Sequence, residues 1–376
     1  LINDQGIGGD ISNTSRFSFG ALRVKAEYGA EYFKDDVVAK NLLTPASGGG
    51  VNPSGESAIA GLFSQTTYSY GIFEFISGLR YDTYQLDGVF NAKAGNPLGI
   101  PVGDYVLDRS EGRLNPKATL AAQVTPWLQP YVTYAESFRA PTVQETMLGG
   151  THPGGGTSFS PNPFLEPEIQ KGWEFGANIR VNGLLVTGDS FRFKATYFNN
   201  QVENYITGAF FPGNRIVFVN APGASNLQGV ELQGTYDAGT VFAALSYTYT
   251  DSDLPSQVNG VGAQSFLPDH ILVLTGGMRF FDQKLSLGAR GTFTSESYIG
   301  TINAVNPADP YADGYVLLDL FGSYKFDSGL QVGVNVNNVF DVGYTAALTS
   351  PPTTTCAPAG VTCNTGMGRT VLVTAK

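Results

Sequence analysis

Charged side chains are scarce in this sequence. Only 14% of its 376 residues are Asp, Glu, Lys or Arg, whereas soluble globular domains carry roughly 25%. A β-barrel in a membrane hides one face of every strand in lipid and needs few charges there. The scarcity of charge therefore favours a membrane barrel over a soluble enzyme.

Long apolar runs are missing as well. Nowhere does the sequence contain the roughly 18 consecutive apolar residues that a membrane-spanning helix requires. Helices and closed barrels are the structures that satisfy every backbone hydrogen bond inside lipid. If the chain crosses a membrane it must therefore cross as strands, and the helical class of membrane proteins is excluded.

Basic residues and cysteines are also few. The 22 Lys and Arg are outnumbered by 32 Asp and Glu, which gives a net charge of −10. They form no basic stripe of the kind that binds phosphates, so nucleic acid is excluded as a partner. Cys356 and Cys363 share one Pro/Thr/Gly-rich loop. This short spacing favours a local disulfide in an oxidising compartment, with two free thiols as the alternative.

The sequence offers no recognisable catalytic constellation. It has only two histidines, His152 and His270, and it lacks a Cys/His cluster, a phosphate-cradling loop and a GxSxG elbow. We therefore expect no enzymatic activity. An outer-membrane hydrolase is the weakest alternative, because its acid, base and nucleophile are missing.

Strict alternation of apolar and polar residues is abundant, and it predicts strands with two unlike faces. It occurs in residues 22–33, 173–180, 230–237 and 284–293. In the first segment the apolar row is Leu22, Val24, Ala26, Tyr28, Ala30 and Tyr32, and the opposing row is Arg23, Lys25, Glu27, Gly29 and Glu31. One row would face lipid and the other a polar interior.

Short and long connections take turns between the predicted strands. Short ones fall near residues 70–71, 127–128, 238–239, 282–283 and 327–329, and long ones span roughly 37–57, 88–113, 141–167, 208–225, 252–264, 300–313 and 346–366. Short periplasmic turns and longer external loops are typical of outer-membrane barrels. We expect an all-β, antiparallel, up-and-down transmembrane barrel in a single domain over 1–376. About fourteen strands begin near 21, 58, 71, 114, 128, 168, 189, 226, 240, 265, 284, 314, 330 and 367, with a remnant of an earlier strand near 11–18.

Several segments resemble the barrel of TonB-dependent outer-membrane receptors. Residues 335–341 with Tyr344 and Gly368-Arg369 are similar to the carboxy-terminal signature of that family, and Asn220-Ala221 followed by residues 229–232 is similar to a mid-barrel strand. The resemblance implies a multi-pass outer-membrane protein with 22 strands, of which this chain holds roughly the last fourteen. It also implies a plug that contacts TonB, and nothing here resembles the plug. The sequence looks cut at Leu1, where it opens in mid-pattern.

Two further segments resemble the paired boxes of the haem-receptor subgroup. The matching residues are Phe138, Arg139, Ala140 and Pro141 in the first box, and Asn162, Pro163 and Leu165, with Pro167-Glu168, in the second. The second box departs from the subgroup at Phe164, where the pattern has Asn. In that subgroup a histidine between the boxes is an axial ligand of haem iron, and His152 is the only histidine between them here. The resemblance thus implies haem as a transported ligand and not as a permanent cofactor.

The chemistry of this loop is consistent with such a ligand. A neutral imidazole in the segment Thr151–Gly156 can coordinate haem iron, while a solvated surface histidine is the ordinary alternative. Met147 offers a soft sulfur ligand, but we expect it to pack. The resemblance implies a structural role for His270, and it draws the second axial ligand from the absent plug.

The sequence therefore predicts an outer-membrane receptor whose external loops capture haem, free or from a haem-carrier protein. TonB, with ExbB and ExbD, would drive uptake through the missing plug. Two alternatives stay open: a TonB-dependent receptor for a ferric siderophore or another nutrient, and a passive porin in which this chain is the complete barrel.

Overall fold

The computed structural model describes residues 2–40, 51–151, 158–254, 267–298, 311–345 and 366–376, and strands dominate them. The strands of the main sheet are β1 Ile2–Phe19, β2 Leu22–Ala39, β3 Ser54–Tyr70, β4 Phe73–Ala92, β5 Gly103–Ala122, β6 Leu128–Arg139, β9 Glu168–Asn182, β10 Ser190–Glu203, β13 Ala224–Asp237, β14 Val241–Ser252, β15 His270–Phe280, β16 Leu285–Thr294, β19 Tyr315–Lys325, β20 Gln331–Asn337 and β21 Thr370–Ala375. The shorter elements are helix α1 Val143–Met147 and strands β7 Gly150–Thr151, β8 Ser158–Ser160, β11 Ile206–Phe211, β12 Arg215–Asn220, β17 Ser297–Tyr298 and β18 Tyr311–Ala312.

The main sheet has 15 antiparallel strands in the order β1-β2-β3-β4-β5-β6-β9-β10-β13-β14-β15-β16-β19-β20-β21. Each strand lies beside its predecessor and successor in this series, which is the up-and-down arrangement predicted from the sequence. Fourteen of the strands match the predicted ones. The additional strand, β1, is no remnant, because it runs for 18 residues and pairs with β2 along its whole length.

Two predicted loops were wrong in part. The stretch 88–113 is mostly strand, since β4 continues to Ala92 and β5 begins at Gly103. Its Asp, Gly and Asn residues resemble loop composition, but Gly88, Asn91, Asp104, Asp108 and Gly112 sit in strands. The stretch 208–225 contains most of the hairpin formed by β11 and β12. Polar composition marks contact with water, and it does not by itself mark the end of a strand.

The two faces of the sheet differ as the alternation predicted. On β4 the apolar row is exposed, with Phe73 at 54%, Phe75 at 43%, Leu79 at 49% and Tyr81 at 47%. On the other face of the same strand, Arg80 makes ion pairs with Glu31 of β2 and Asp82. A periodic row of exposed large apolar side chains is unfavourable in water, so it indicates a face that meets lipid.

The connections alternate in length along the main sheet. The short ones are 20–21, 71–72, 123–127, 183–189, 238–240, 281–284 and 326–330. The long ones are 40–53, 93–102, 140–167, 204–223, 253–269, 295–314 and 338–369. Because neighbouring strands are antiparallel, the short connections within each unit described below lie at one end of its strands, which we call the short-turn end.

By their contacts the residues fall into two compact units. The first comprises Leu1–Ala121, Thr133–Trp173 and Asn200–Asn226, and the second comprises Ala122–Val132, Glu174–Asn199 and Leu227–Lys376. The first unit also contains a small sheet in the order β11-β12-β8-β7. In the described part of the chain, no helix is long and apolar enough to cross a membrane.

Candidate functional site

The two boxes frame one long connection in the first unit. Phe138 and Arg139 are the last residues of β6, and Ala140 and Pro141 lead into α1. The second box lies between β8 and β9. Helix α1, β7 and β8 all stand between the boxes, as does the segment 152–157.

Arg139 ties the two ends of this connection together. Its Nε and Nη2 donate to Oε2 and Oε1 of Glu168 at 2.8 and 2.7 Å. Its Nη1 and Nη2 donate to the two carboxylate oxygens of Glu145, both at 3.0 Å. One guanidinium thus joins the end of β6, helix α1 and the start of β9. Bidentate guanidinium–carboxylate pairs fix geometry as well as adding energy.

Helix α1 is short but anchored at both ends. Thr142 caps it, because its hydroxyl accepts from the Glu145 backbone N–H at 3.1 Å while the Glu145 carboxylate accepts from the Thr142 N–H at 2.9 Å. This reciprocal pair is a capping box. Val143 and Met147 are buried in an apolar cluster whose other members come from β4 and β5: Tyr84, Leu86, Phe90, Ala92 and Leu107. Met147 therefore packs, as the sequence favoured.

Asn162 of the second box connects α1 to the small sheet. It is buried, its backbone N–H donates to the carbonyl of Thr146 at 2.8 Å, and its Nδ2 donates to the carbonyl of Phe218 at 2.8 Å. Its Oδ1 accepts from the Phe164 N–H at 3.0 Å. Asparagine provides both donor and acceptor on one short side chain, which this position uses fully.

The rest of the second box is held by Arg109 and Asn220. Leu165 is fully buried, and its carbonyl accepts a hydrogen bond from Arg109 of β5. Glu166 is bound through its backbone by Asn220, whose Oδ1 accepts from the Glu166 N–H and whose Nδ2 donates to the Glu166 carbonyl, both at 2.8 Å. Pro163 lies between these anchors and is half-buried.

The described residues on either side of the segment 152–157 belong to strands of the small sheet. Strands β7 and β8 pair with each other, so that Thr151 faces Ser158 and their hydroxyls lie 3.2 Å apart. Strand β8 also runs parallel to β12. Residues 152–157, including His152, lie outside the described residues. The described residues on either side of them, Thr151 and Ser158, are paired, and Thr151 is exposed.

A cavity of about 720 Å³ lies beside the first box. Its lining includes Phe138, Arg139, Lys117, Glu136 and Asp82. Ligand pockets of about 300–1,000 Å³ hold small organic molecules. The first unit therefore has room for a small cargo beside the first box.

The other predicted site residues lie elsewhere. The imidazole Nδ1 of His270 is 2.9 Å from the hydroxyl of Tyr247, and its ring stacks on Tyr249 at a centroid distance of 4.9 Å. Cys356 and Cys363 fall outside the described residues, so their disulfide stays a prediction. Within the described ranges, no group of three His, Cys, Asp or Glu residues is placed to hold a metal ion.

Sequence reasoning missed several residues that build the site. Glu145, Glu168, Asn220 and Arg109 connect the boxes to their surroundings, yet none was proposed as a site residue. The capping pattern Thr142-x-x-Glu145 was a readable signal for one of them. The partners of Asn220 and Arg109 are distant in sequence, so their roles become visible only in the folded chain.

Comparison with known proteins gives these features a context. Residues 2–339 match the family model "TonB dependent receptor-like, beta-barrel". A heme/hemopexin utilization protein C from Haemophilus influenzae is 29% identical over 272 residues, covering 63% of this chain and 35% of that protein. The catecholate siderophore receptor Fiu of Escherichia coli is 23% identical over 403 residues, covering 96% of this chain and 50% of that protein.

A solved structure gives the same family. It is a double mutant of the Serratia marcescens hemophore receptor HasR, in complex with its hemophore HasA and heme, and the superposition has a TM-score of 0.77 at 28% identity. The match covers 99% of this chain and 58% of that one. The chain thus spans between 35% and 58% of the length of these relatives, two of which are named as receptors. This chain belongs to the TonB-dependent receptor β-barrel family.

Proposed function

We propose that this chain is the barrel portion of an outer-membrane receptor for energy-coupled uptake of haem, with His152 as an axial ligand of the iron. The single observation that carries the proposal is the framework of the two boxes. Arg139 of the first box pairs with Glu168, which follows the second box. Between the boxes, Thr151 and Ser158 pair with each other on either side of the segment that contains His152.

The relatives support haem as the cargo. The heme/hemopexin utilization protein and the hemophore receptor HasR are both more similar to this chain than the siderophore receptor is, at 29% and 28% against 23% identity. The HasR structure holds heme and a hemophore. By analogy, a haem-carrier protein is the partner we propose on the outside, and TonB with ExbB and ExbD the partners that supply energy.

The roles of the chain's own residues follow from their chemistry. His152 would bind iron as a neutral imidazole, because a protonated ring nitrogen has no lone pair to donate to the metal. Arg139 and Asn162 would position the segment without touching haem. The cavity beside Phe138 and Arg139 would receive the cargo as it leaves the loop. None of these residues makes or breaks a covalent bond in the cargo.

A haem titration of the full-length receptor tests this assignment. The wild-type protein should give a Soret band at a ligated position, the His152→Ala variant should lose that band or bind at least tenfold more weakly, and the His270→Ala variant should match the wild type. A wild-type protein with no Soret shift would refute haem as the cargo. An unchanged His152→Ala variant would refute His152 alone.

A ferric siderophore receptor is the second candidate, because the siderophore receptor Fiu aligns over 96% of this chain. Growth of an iron-starved strain that depends on this receptor separates the two. Rescue by haem but not by a ferric catecholate supports the first candidate, and the reverse result supports the second. A passive porin would instead pass small ions continuously, so a TonB-independent conductance of the full-length protein would overturn both.

A further inference from the structure

The turn between β9 and β10, residues 183–189, carries an unusual apolar surface at the short-turn end of the second unit. Leu184, Leu185 and Val186 are 47%, 73% and 52% exposed. Three consecutive large apolar residues at the tip of a turn are unfavourable in water. Turns that face water are built mostly from Gly, Pro, Asn, Asp and Ser.

The backbone of this turn is satisfied from within by one carboxylate. Asp189 accepts from the N–H groups of Leu184 at 2.6 Å, Leu185 at 2.8 Å and Val186 at 2.9 Å. In addition, the Gly183 N–H donates to the Asp189 carbonyl at 3.0 Å, and the Asp189 N–H donates to the Val186 carbonyl at 3.2 Å. Asp189 is only 2% exposed.

This arrangement matters because the free-energy cost of an unpaired backbone group depends on its surroundings. In water a turn leaves its N–H groups to the solvent at little cost, whereas in lipid every backbone polar group must find a partner inside the protein. This turn exposes the side chains of residues 184–186, while their N–H groups are hydrogen-bonded inside the protein. It therefore suits a poorly hydrated environment.

The turn also lies on the lipid-facing side of the sheet. The Tyr236 hydroxyl donates to Asp189 Oδ2 at 2.9 Å. Tyr236 pairs with Ala243, and two residues along the same face Gly234 pairs with Leu245, which pairs in turn with the exposed Leu274. The next residue, Asp237, points to the opposite face, where it makes an ion pair with Arg279.

The apolar surface continues from the turn onto the strands. The rings of Phe191 and Phe193 stack 6.2 Å apart at the start of β10. Together with Tyr236, Leu245 and Leu274 they line a shallow apolar groove of about 570 Å³. The exposed tip is thus continuous with the row of side chains that meets lipid.

We propose that residues 184–186 are a membrane anchor that inserts between the headgroups of the lipid leaflet at the short-turn end. The occupant of this surface is a phospholipid interface, and Asp189 is the positioning residue that lets the turn enter it. The turn 238–240 at this end of the second unit differs from the turn 183–189. The turn 238–240 directs the Gly239 N–H to Asp237 Oδ1 and exposes Thr240, so it is built for water.

Fluorescence quenching in phosphatidylcholine vesicles tests the proposal on the full-length receptor. Leu185→Cys carries a bimane label in a Cys356→Ser/Cys363→Ser background, and Thr240→Cys is the matched control. We expect nitroxide-bearing lipid to quench the Leu185 label at least threefold more than the Thr240 label, and aqueous iodide to show the opposite order. Equal iodide quenching at both sites would overturn the proposal and favour a soluble partner.

A second variant tests the role of Asp189. With the same label, Asp189→Asn replaces the two acceptor oxygens by one and should bring iodide quenching at Leu185 closer to that at Thr240. If this variant fails to fold, the comparison of the two labelled sites still decides the proposal, because both retain Asp189. Haem titration is independent of this result, so the anchor and the cargo assignment can fail separately.

Discussion

Arg139 and Glu168 are 29 residues apart in the chain, and their side chains meet in a bidentate ion pair with N···O distances of 2.8 and 2.7 Å. The pair closes the base of the connection that contains His152. The same guanidinium also donates to Glu145 of α1, so three elements depend on one side chain.

Replacing Arg139 should therefore weaken haem binding without changing its ligation. Arg139→Ala removes the positive charge that pairs with two mostly buried carboxylates, at a cost of roughly 1–2 kcal/mol in the local structure. We expect the Kd for haem to rise by up to about tenfold, with the Soret band of the bound form unmoved. Arg139→Lys should fall in between, because ammonium cannot form the bidentate pair.

The control for this variant is Arg290→Ala. Arg290 also makes an ion pair, with Asp319 at 2.8 Å, but it lies on β16 far along the chain from the boxes. The Arg290→Ala variant should leave the Kd for haem unchanged. A loss of affinity equal to that of Arg139→Ala would show that any ion pair of the polar face matters, and that the boxes have no special role.

Asn162 should be the most sensitive residue of the second box. It is buried and makes three hydrogen bonds, one of which satisfies the Phe218 carbonyl. Asn162→Ala would leave that buried carbonyl without this donor, at a cost of about 1–3 kcal/mol. Hydrogen exchange of the β8 and β12 amides should then become faster. The exposed Asn178, replaced in the same way, should leave their exchange unchanged.

The alternation in residues 22–33 and 284–293 was enough to predict strands and their two faces. A period of two has one structural meaning when it persists over eight residues, and β2 and β16 confirm it. The same rule located fourteen of the strands of the main sheet. It failed for 88–113, where polar residues extend β4 and β5 beyond the expected ends.

The candidate site was predictable only as a set of motif residues. The boxes marked Arg139 and Asn162, but their partners Glu145, Glu168 and Phe218 are separated from them by 6, 29 and 56 residues. Such pairings depend on the long connection folding back on β4, β5 and β12. A side chain's hydrogen-bond partner is not encoded in its local sequence, which is why Asn220 was quoted as a strand marker and not as a clamp.

Met147 should tolerate replacement by another large apolar residue. Because it is buried among Tyr84, Leu86 and Phe90, Met147→Leu should cost less than about 1.5 kcal/mol. The Soret spectrum of the haem complex should be identical to that of the wild type. A shifted band would contradict the packing role and revive the sulfur atom as a ligand.

Gly88 should tolerate replacement less well than Met147, because an added side chain would meet the buried Met147. A Cβ at Gly88 would lie 2.6 Å from both Sδ and Cε of Met147 and 3.0 Å from the Ser54 carbonyl oxygen. Gly88→Ala should therefore push the Met147 thioether aside within the buried cluster and lower the free energy of unfolding by about 1 kcal/mol. Gly291→Ala is the matched control, since a Cβ there meets no atom within 4 Å. Urea unfolding of the two variants measures this difference. Coincident unfolding midpoints would contradict the prediction.

The hydrogen bonds to Asp189 should make the turn 183–189 sensitive to acid. Burial would raise the pKa of the Asp189 carboxyl, but the backbone N–H groups of Val186, Leu185 and Leu184 and the Tyr236 hydroxyl hold that pKa well below its ordinary value. A carboxyl with a lowered pKa stabilises the folded state fully above its unfolded pKa, about 3.9. That contribution is lost as the pH falls through the lowered value.

Hydrogen exchange of the turn amides measures this effect. Protection of the Leu184, Leu185 and Val186 amides should be constant above about pH 5 and should decrease below about pH 4. In Asp189→Asn it should be weaker at every pH and independent of pH, because an amide does not titrate. The Gly329 amide, which donates to the carbonyl of Phe326, is the internal reference, since its acceptor carries no ionisable proton. Protection in the wild type that follows this reference at low pH would contradict the role of the carboxylate.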